Sequence, residues 1–370
     1  MAEFARKYDL PEVMPAKFAW EIRGEHDMII QTGMRTDIPA FYSEWLVNRI
    51  EEGYVLVRNP YNPVQVTKYR LSPEVVDLMA FCTKNPEPML KYMDILRPYG
   101  QYWFVTITPY GKDIEPNVPD KDKVMEDFKR LSDMVGVDSV GWRYDPILTD
   151  QIHTAQWHIA EFEKMASRLS GYTKTCVISF LDIYKKVERN FPEAGTVTKK
   201  EQIWIGKEFI RIADRYGLTI RPCAEGSELA AYGADCSGCM TVDTFETALH
   251  THLDIPKQKI NQRNGSCACF MGVDIGAYDT CGHLCRYCYA NANAELVREN
   301  MKRHDPKSPF LLGRSMPEDV IHEAKQKSWI DGQMTLDQYL DESIRGSING
   351  MGYQETAHKK CKYTKNSNGY

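Results

Sequence analysis

The chain has 370 residues, 43% of them hydrophobic, a content that suits a folded protein with a sizeable core and excludes global disorder. Its 46 Lys and Arg stand against 51 Asp and Glu, a net charge of −5, so no overall basic field draws nucleic acid to it. Eleven cysteines cannot all pair, no charged-then-apolar leader opens the sequence and no apolar run reaches membrane-span length, so a cytoplasmic protein with no membrane partner is expected.

Residues 1–27 read as an N-terminal extension. From 28 to 226, β-like apolar runs alternate with amphipathic helical stretches, the pattern of βα units in a parallel sheet or barrel. Six strands are predicted: MIIQTG from Met28, VVDLMAF from Val75, YWFVTIT from Tyr102, SVGWRY from Ser139, TCVISFL from Thr175 and LTIRPCA from Leu218. Each is short and rich in β-branched or aromatic residues, as strands buried on both faces are. Helical spacing is visible in Ile38, Phe41, Tyr42, Trp45, Leu46 and Ile50, in Val124, Phe128, Leu131 and Val135, in Ile159, Phe162 and Met165, and in Phe209, Ile210 and Ala213. Between the first helix and the second strand, GYVLVRNPYNPVQVTKYRLSPE reads as an inserted hairpin about the turn NPYNP. The expected fold is therefore α/β, a partial parallel (βα)6 TIM-like barrel over 28–226. A cysteine-rich cluster-binding module over 227–300 follows, then a C-terminal extension and tail over 301–370.

Barrel active sites sit at the C-terminal ends of the strands, and here those ends are furnished with polar residues. Arg35 and Asp37 follow the first strand, Lys84 the second, Thr108 and Tyr110 the third, Arg143 and Asp145 the fourth, Asp182 and Tyr184 the fifth, and Cys223 and Glu225 the sixth. Arg35, Lys84 and Arg143 are candidate cations for a carboxylate or phosphate on a small-molecule substrate. Asp37, Asp145 and Glu225 are candidate catalytic carboxylates. The competing reading for the cations is a set of structural ion pairs with Asp37 or Asp145.

The run CGHLCRYCYAN places Cys281, Cys285 and Cys288 at C-x3-C-x2-C spacing. Three thiolates from one tight loop can hold three corners of a [4Fe–4S] cube and leave the fourth iron open. A structural zinc site is the alternative, with Cys267 or Cys269 as the fourth ligand. His283, inside the loop, is expected to support the thiolates rather than ligate. Cys236 and Cys239 (C-x2-C) with Cys267 and Cys269 (C-x-C) form a candidate second metal site for another iron–sulfur cluster or zinc. Cys223 can join that set or face the pocket. Cys82 and Cys176, inside apolar strands, read as core, and Cys361 as incidental.

The cysteine spacing, with Tyr287 directly before the last thiol, resembles the cluster loop of the radical S-adenosylmethionine (SAM) enzymes. Taken together, MRTDIPAFYSEW, GYVLVRNPYNP, FCTKNPEPML, RPCAEG and DIGAYDTCGHLCRYCYAN resemble the family catalogued as domain of unknown function 1848, over roughly residues 28 to 300. The resemblance implies a [4Fe–4S] cluster on Cys281, Cys285 and Cys288, SAM bound at its open iron beside Tyr287, and an electron donor such as flavodoxin or ferredoxin. Cleavage of SAM would give a 5′-deoxyadenosyl radical that abstracts a substrate hydrogen. Two features depart from the radical SAM pattern. The loop follows the last predicted strand rather than the first, so it must fold back over the barrel mouth, and no Gly-Gly-Glu run is present, leaving Glu225 in CAEG as a stand-in. A barrel hydrolase with structural zinc and a non-enzymatic electron carrier or metal sensor are the rival readings.

Overall fold

The computed structural model describes residues 28–183, 185–255, 268–270 and 272–330. The predicted N-terminal extension, Tyr184, Cys267, Cys361 and the 331–370 stretch lie outside them. All six predicted strands are present: β1 Ile29–Gln31, β4 Leu78–Thr83, β5 Gly100–Thr106, β6 Val140–Ile147, β7 Thr175–Phe180 and β8 Thr219–Pro222. The second begins three residues later than its apolar run suggests, because Val75 and Val76 donate their amides to Ser72 O in a turn before the ladder starts. The predicted hairpin is β2 Tyr54–Arg58 against β3 Gln65–Arg70, antiparallel, with the Asn59 side chain accepting from the amides of Tyr61 and Asn62.

A seventh strand, β9 Val273–Asp274, pairs in parallel with β1, so the segment expected as a separate cysteine-rich module contributes to the main sheet. The strand order is β8-β7-β6-β5-β4-β1-β9. Consecutive βα units thus lie side by side, as in a barrel, but the sheet is open, with β8 and β9 at its edges. A closed TIM barrel is not what the pairing describes. The predicted extension is also structured in part: β10 Val320–Glu323 runs parallel to β3, and Trp45 Nε1 and the Leu56 amide donate to the carbonyls of Ser308 and Pro309. No described helix is long and apolar enough to cross a membrane.

Side-chain alternation sends each strand into two cores. Ile30, Met79, Phe81, Trp103, Val105, Trp142 and Ile178 face one apolar layer with the helices. Those helices include α1 Ser43–Glu52, α2 Lys121–Val135, α3 Ala155–Leu169 and α4 Lys199–Arg215. Ile29, Leu78, Ala80, Tyr102, Phe104 and Val177 face a second layer filled by Cys239, Phe245, Leu253, Cys269 and Phe270, from the chain between β8 and β9. Phe245 belongs to α5, Val242–Leu249. Burial on both faces is why the strands read as continuous apolar runs.

The helices start where their caps dictate. Asp120, Thr154 and Thr241 accept first-turn amides of α2, α3 and α5, and Thr198 with Glu201 closes a capping box on α4. The α3/α4 layer is held by Phe162, stacked on Phe209 at 3.9 Å and on Trp142 at 4.9 Å.

His158 on α3 is fully buried. Its Nε2 donates to Leu148 O at 2.6 Å, which leaves Nδ1 to accept from the Tyr144 hydroxyl at 2.8 Å. Burial holds its pKa down to about 4, against about 6.5 in the unfolded chain. The unfolded state therefore takes up a proton first on acidification. Stability from this group is complete above about pH 6.5 and is lost as pH falls toward 4, by up to about 3 kcal/mol. Urea unfolding at pH 7 and pH 4.5 should show a steeper loss for the wild type than for His158→Gln. Equal pH slopes would place a protonated imidazole in the native core.

Candidate functional site

A cavity of about 310 Å³ lies at the C-terminal ends of the strands. Residues at or just after the ends of β1 and of β4 through β8 line it, and its other wall is the cysteine loop. Cys281, Cys285, Cys288 and Tyr287 all line it, as do Asp37, Lys84, Arg143 and Asp145. Arg35 and Glu225 are outside that lining. The loop following the last βα unit therefore does fold back across the strand ends, as the chain order required.

The loop is fastened at several points to the ends of β1, β4 and β5. Asn117 donates its amide to His283 O at 3.2 Å and its Nδ2 to Gly282 O at 2.8 Å, and the Arg286 amide donates to Ile114 O at 3.0 Å. His283 Nε2 donates to Asp37 Oδ2 at 2.8 Å, and the Asp37 carboxylate also accepts the Lys84 amide at 2.8 Å and the Ala40 amide at 3.0 Å. Asp37 is thus a knot joining the end of β1, the end of β4 and the loop. Gly282 has structural reasons to be glycine, since an added Cβ would stand 2.7 Å from the Phe41 ring.

Tyr287 is tied through Glu115, a residue that sequence reasoning missed. The Glu115 carboxylate is fully enclosed. It accepts from Lys84 Nζ at 2.8 Å, Thr108 Oγ1 at 2.6 Å, Lys121 Nζ and the Tyr287 hydroxyl. Burial alone would raise the Glu115 carboxyl, but the two lysines outweigh it and hold it down to about 2. Burial would likewise depress Lys84, yet Glu115 and Cys285 reverse that and leave it raised. Lys121, on the other oxygen, ends lowered, because burial and repulsion from Lys84 prevail. Lys84 Nζ also lies 5.6 Å from the centre of the Tyr287 ring.

The three loop thiols sense one another. Burial raises Cys281 well above the usual thiol range, with Cys288 adding to it, and pushes Cys285 up to about 12 although Lys84 pulls the other way. Among the described residues no sulfur–sulfur hydrogen bond joins them. The Ala290 amide donates to Cys288 Sγ at 3.3 Å.

Each candidate substrate cation has a carboxylate partner. Arg143 donates Nε to Asp145 Oδ2 at 3.1 Å and pairs with it again through Nη2; Ser179 donates to the other Asp145 oxygen. Burial would raise the Asp145 carboxyl, but Arg143 holds it below the ordinary range. Arg35 pairs with Asp274 of β9 rather than with Asp37, donating Nε at 2.9 Å, and is buried away from the cavity. Glu225 accepts the Phe180 amide at 2.9 Å, at the end of β7. Cys82 sits at the cavity wall and Cys176 in the core.

The second candidate set is divided. Cys239 and Cys269 lie 3.9 Å apart, sulfur to sulfur, while Cys236 packs against the helix-side core, away from Cys239. Cys223 takes its place, 3.7 Å from Cys239. All three line the same cavity as the loop thiols.

The fold and site define an α/β protein whose open parallel sheet carries a thiol-lined cavity beneath a C-terminal cysteine loop. The chain belongs to the family described as a domain of unknown function (DUF1848), whose family model matches residues 29–290. No curated protein matches the chain.

Proposed function

We propose that the protein is a radical SAM-like iron–sulfur enzyme acting on a small, anionic substrate held at the strand ends. The observation that carries this reading is that Cys281, Cys285 and Cys288 line the cavity that Lys84, Asp37, Arg143 and Asp145 also line. The donor set is of the kind that holds a [4Fe–4S] cube, three thiols of one short loop facing a single cavity, although no three ligand-type side chains among the described residues already close around one point. When bound, the cluster would supply one electron, received from a donor such as flavodoxin or ferredoxin, for cleavage of SAM.

The chain's own residues have separable roles. Tyr287, donating to Glu115, and His283, donating to Asp37, hold the loop against β1, β4 and β5. Lys84 sets a cation beside Cys285, and its pairing with Glu115 keeps that cation charged despite burial. Arg143, bound to Asp145, is the cation best placed to meet an anionic group, since Arg35 is engaged with Asp274 outside the cavity. The open sheet is read as an incomplete barrel, because one cavity touches the ends of six strands. The absence of a Gly-Gly-Glu run leaves the SAM contacts to these groups.

The test is anaerobic reconstitution followed by iron, sulfide and zinc analysis, then incubation with SAM and reductant. About four irons and four sulfides per loop site, lost on replacing Cys281, Cys285 and Cys288 by Ala, are expected. SAM should perturb the electron paramagnetic resonance spectrum and yield 5′-deoxyadenosine. A cluster that leaves SAM intact would make the protein an electron carrier, and zinc without sulfide at the loop would make the loop a structural site.

A further inference from the structure

We propose that Cys223, Cys239 and Cys269 form a second metal site, one that takes a single zinc ion and fastens the chain between β8 and β9 to the sheet. This inference does not rest on the loop binding an iron–sulfur cluster, and the test removes the loop thiols because Cys269 shares their cavity.

A tetrahedral zinc with sulfur ligands at about 2.3 Å sets those sulfurs about 3.8 Å apart. The Cys223–Cys239 and Cys239–Cys269 separations are 3.7 and 3.9 Å. Cys239 is the common member. Among the described residues no three ligand-type side chains already close around one point, so an ion would draw Cys223 and Cys269 in around Cys239 by side-chain rotation.

Contact among the thiols and burial keep Cys223 and Cys239 as neutral thiols in the metal-free chain, and two neighbouring groups would stabilise negative sulfur once an ion replaces the protons. The Met240 amide donates to Cys269 Sγ at 3.4 Å, and Arg143 Nη1 points to Cys239 Sγ at 3.9 Å. Both contacts favour negative sulfur. Gly238, at φ +133, is where the chain turns between Cys236 and Cys239, and an added Cβ there would stand 2.9 Å from Cys269 Sγ. That turn presents Cys239 to the cavity and leaves Cys236 in the other core.

The three thiols also come from places that need fastening. Cys223 directly follows β8, one open edge of the sheet, and Cys269 lies four residues ahead of β9, the other. Cys239 lies between them in the chain that fills the second core. β9 has only two residues of ladder, so a tether just before it supplies what so short a strand lacks.

The experiment uses the full chain carrying Cys281→Ala, Cys285→Ala and Cys288→Ala, so that no loop site contributes. Purified anaerobically and supplied with zinc, it should hold about one zinc per chain, and cadmium titration should give a thiolate-to-metal absorption saturating at the same stoichiometry. Adding Cys223→Ser or Cys239→Ser should abolish that equivalent, and adding Cys236→Ser should leave it. Absence of zinc together with absence of the cadmium band would overturn the proposal and leave three packed thiols. So would zinc lost with Cys236→Ser but kept with Cys223→Ser, or iron and sulfide tracking Cys239. The cadmium titration needs no variant of the three residues, so absence of its band overturns the proposal even if those variants fail to fold.

Discussion

Replacing Glu115 by Ala should cost about 3–5 kcal/mol of stability, measured by urea unfolding at pH 7. The carboxylate neutralises both Lys84 and Lys121 and accepts from Thr108 and Tyr287. A buried ion pair contributes little net stability over an apolar pair of the same shape, but deleting one partner strands the other charge. Here one deletion strands two ammonium groups. Glu115→Gln keeps the shape and one acceptor oxygen, so it should cost less than Ala while still leaving a lysine unpaired. Because the folded carboxyl is held at about 2, below its ordinary 4.5, the contribution is present above about pH 4.5 and fades as pH falls toward 2. A loss below about 1 kcal/mol in the Ala variant would mean that the lysines turn out to water and that the loop does not depend on this anchor.

Asp274→Ala should be the second severe change, again about 3 kcal/mol or more, and it should cost more than Arg35→Ala. Asp274 accepts from Arg35 Nε at 2.9 Å, from the Met34 amide at 2.8 Å and from the Gly276 amide at 2.8 Å. Without the carboxylate, Arg35 Nε and the two amides lose this acceptor, while Arg35 Nη2 keeps the backbone carbonyl of residue 274. Without Arg35, the carboxylate still keeps two amides. Hydrogen exchange should show the difference locally: in the Asp274 variant, amides around β1 and β9 should lose protection together, while β5 to β7 hold theirs. The reverse order of stabilities, Arg35→Ala the worse, would show that the arginine has a partner more demanding than β9.

The six strands were legible because burial on both faces leaves a run of apolar residues that no solvent-facing element carries. β9 was not, since two residues leave no periodicity to read, and β10 was not, because all four of its residues are exposed. Cys281, Cys285 and Cys288 could be read from spacing alone, as one short loop fixes their proximity. Partners distant in sequence could not. Arg35 was read as a candidate substrate cation, with an ion pair to Asp37 or Asp145 as the competing reading, and it meets Asp274 across the β1–β9 edge instead. Glu115 lies in an irregular stretch with no pattern to mark it. The pairing of Cys236 with Cys239 was a judgement from adjacency, and the positive-φ glycine between them sends the two side chains to different cores.

The place of the cysteine loop in the chain has a consequence in time. Every strand-end residue lining the cavity precedes residue 226, and about sixty residues separate the end of β8 from Cys281. At a ribosomal pace of roughly 5–20 residues per second, the strands β1 to β8 are made on the order of 3 to 12 seconds before the loop thiols. The strand-end residues are therefore made first, Cys239 and Cys269 next, and the loop that covers them last. An enzyme with its cysteines in the first unit meets the opposite order, with thiols exposed while their pocket is still being made.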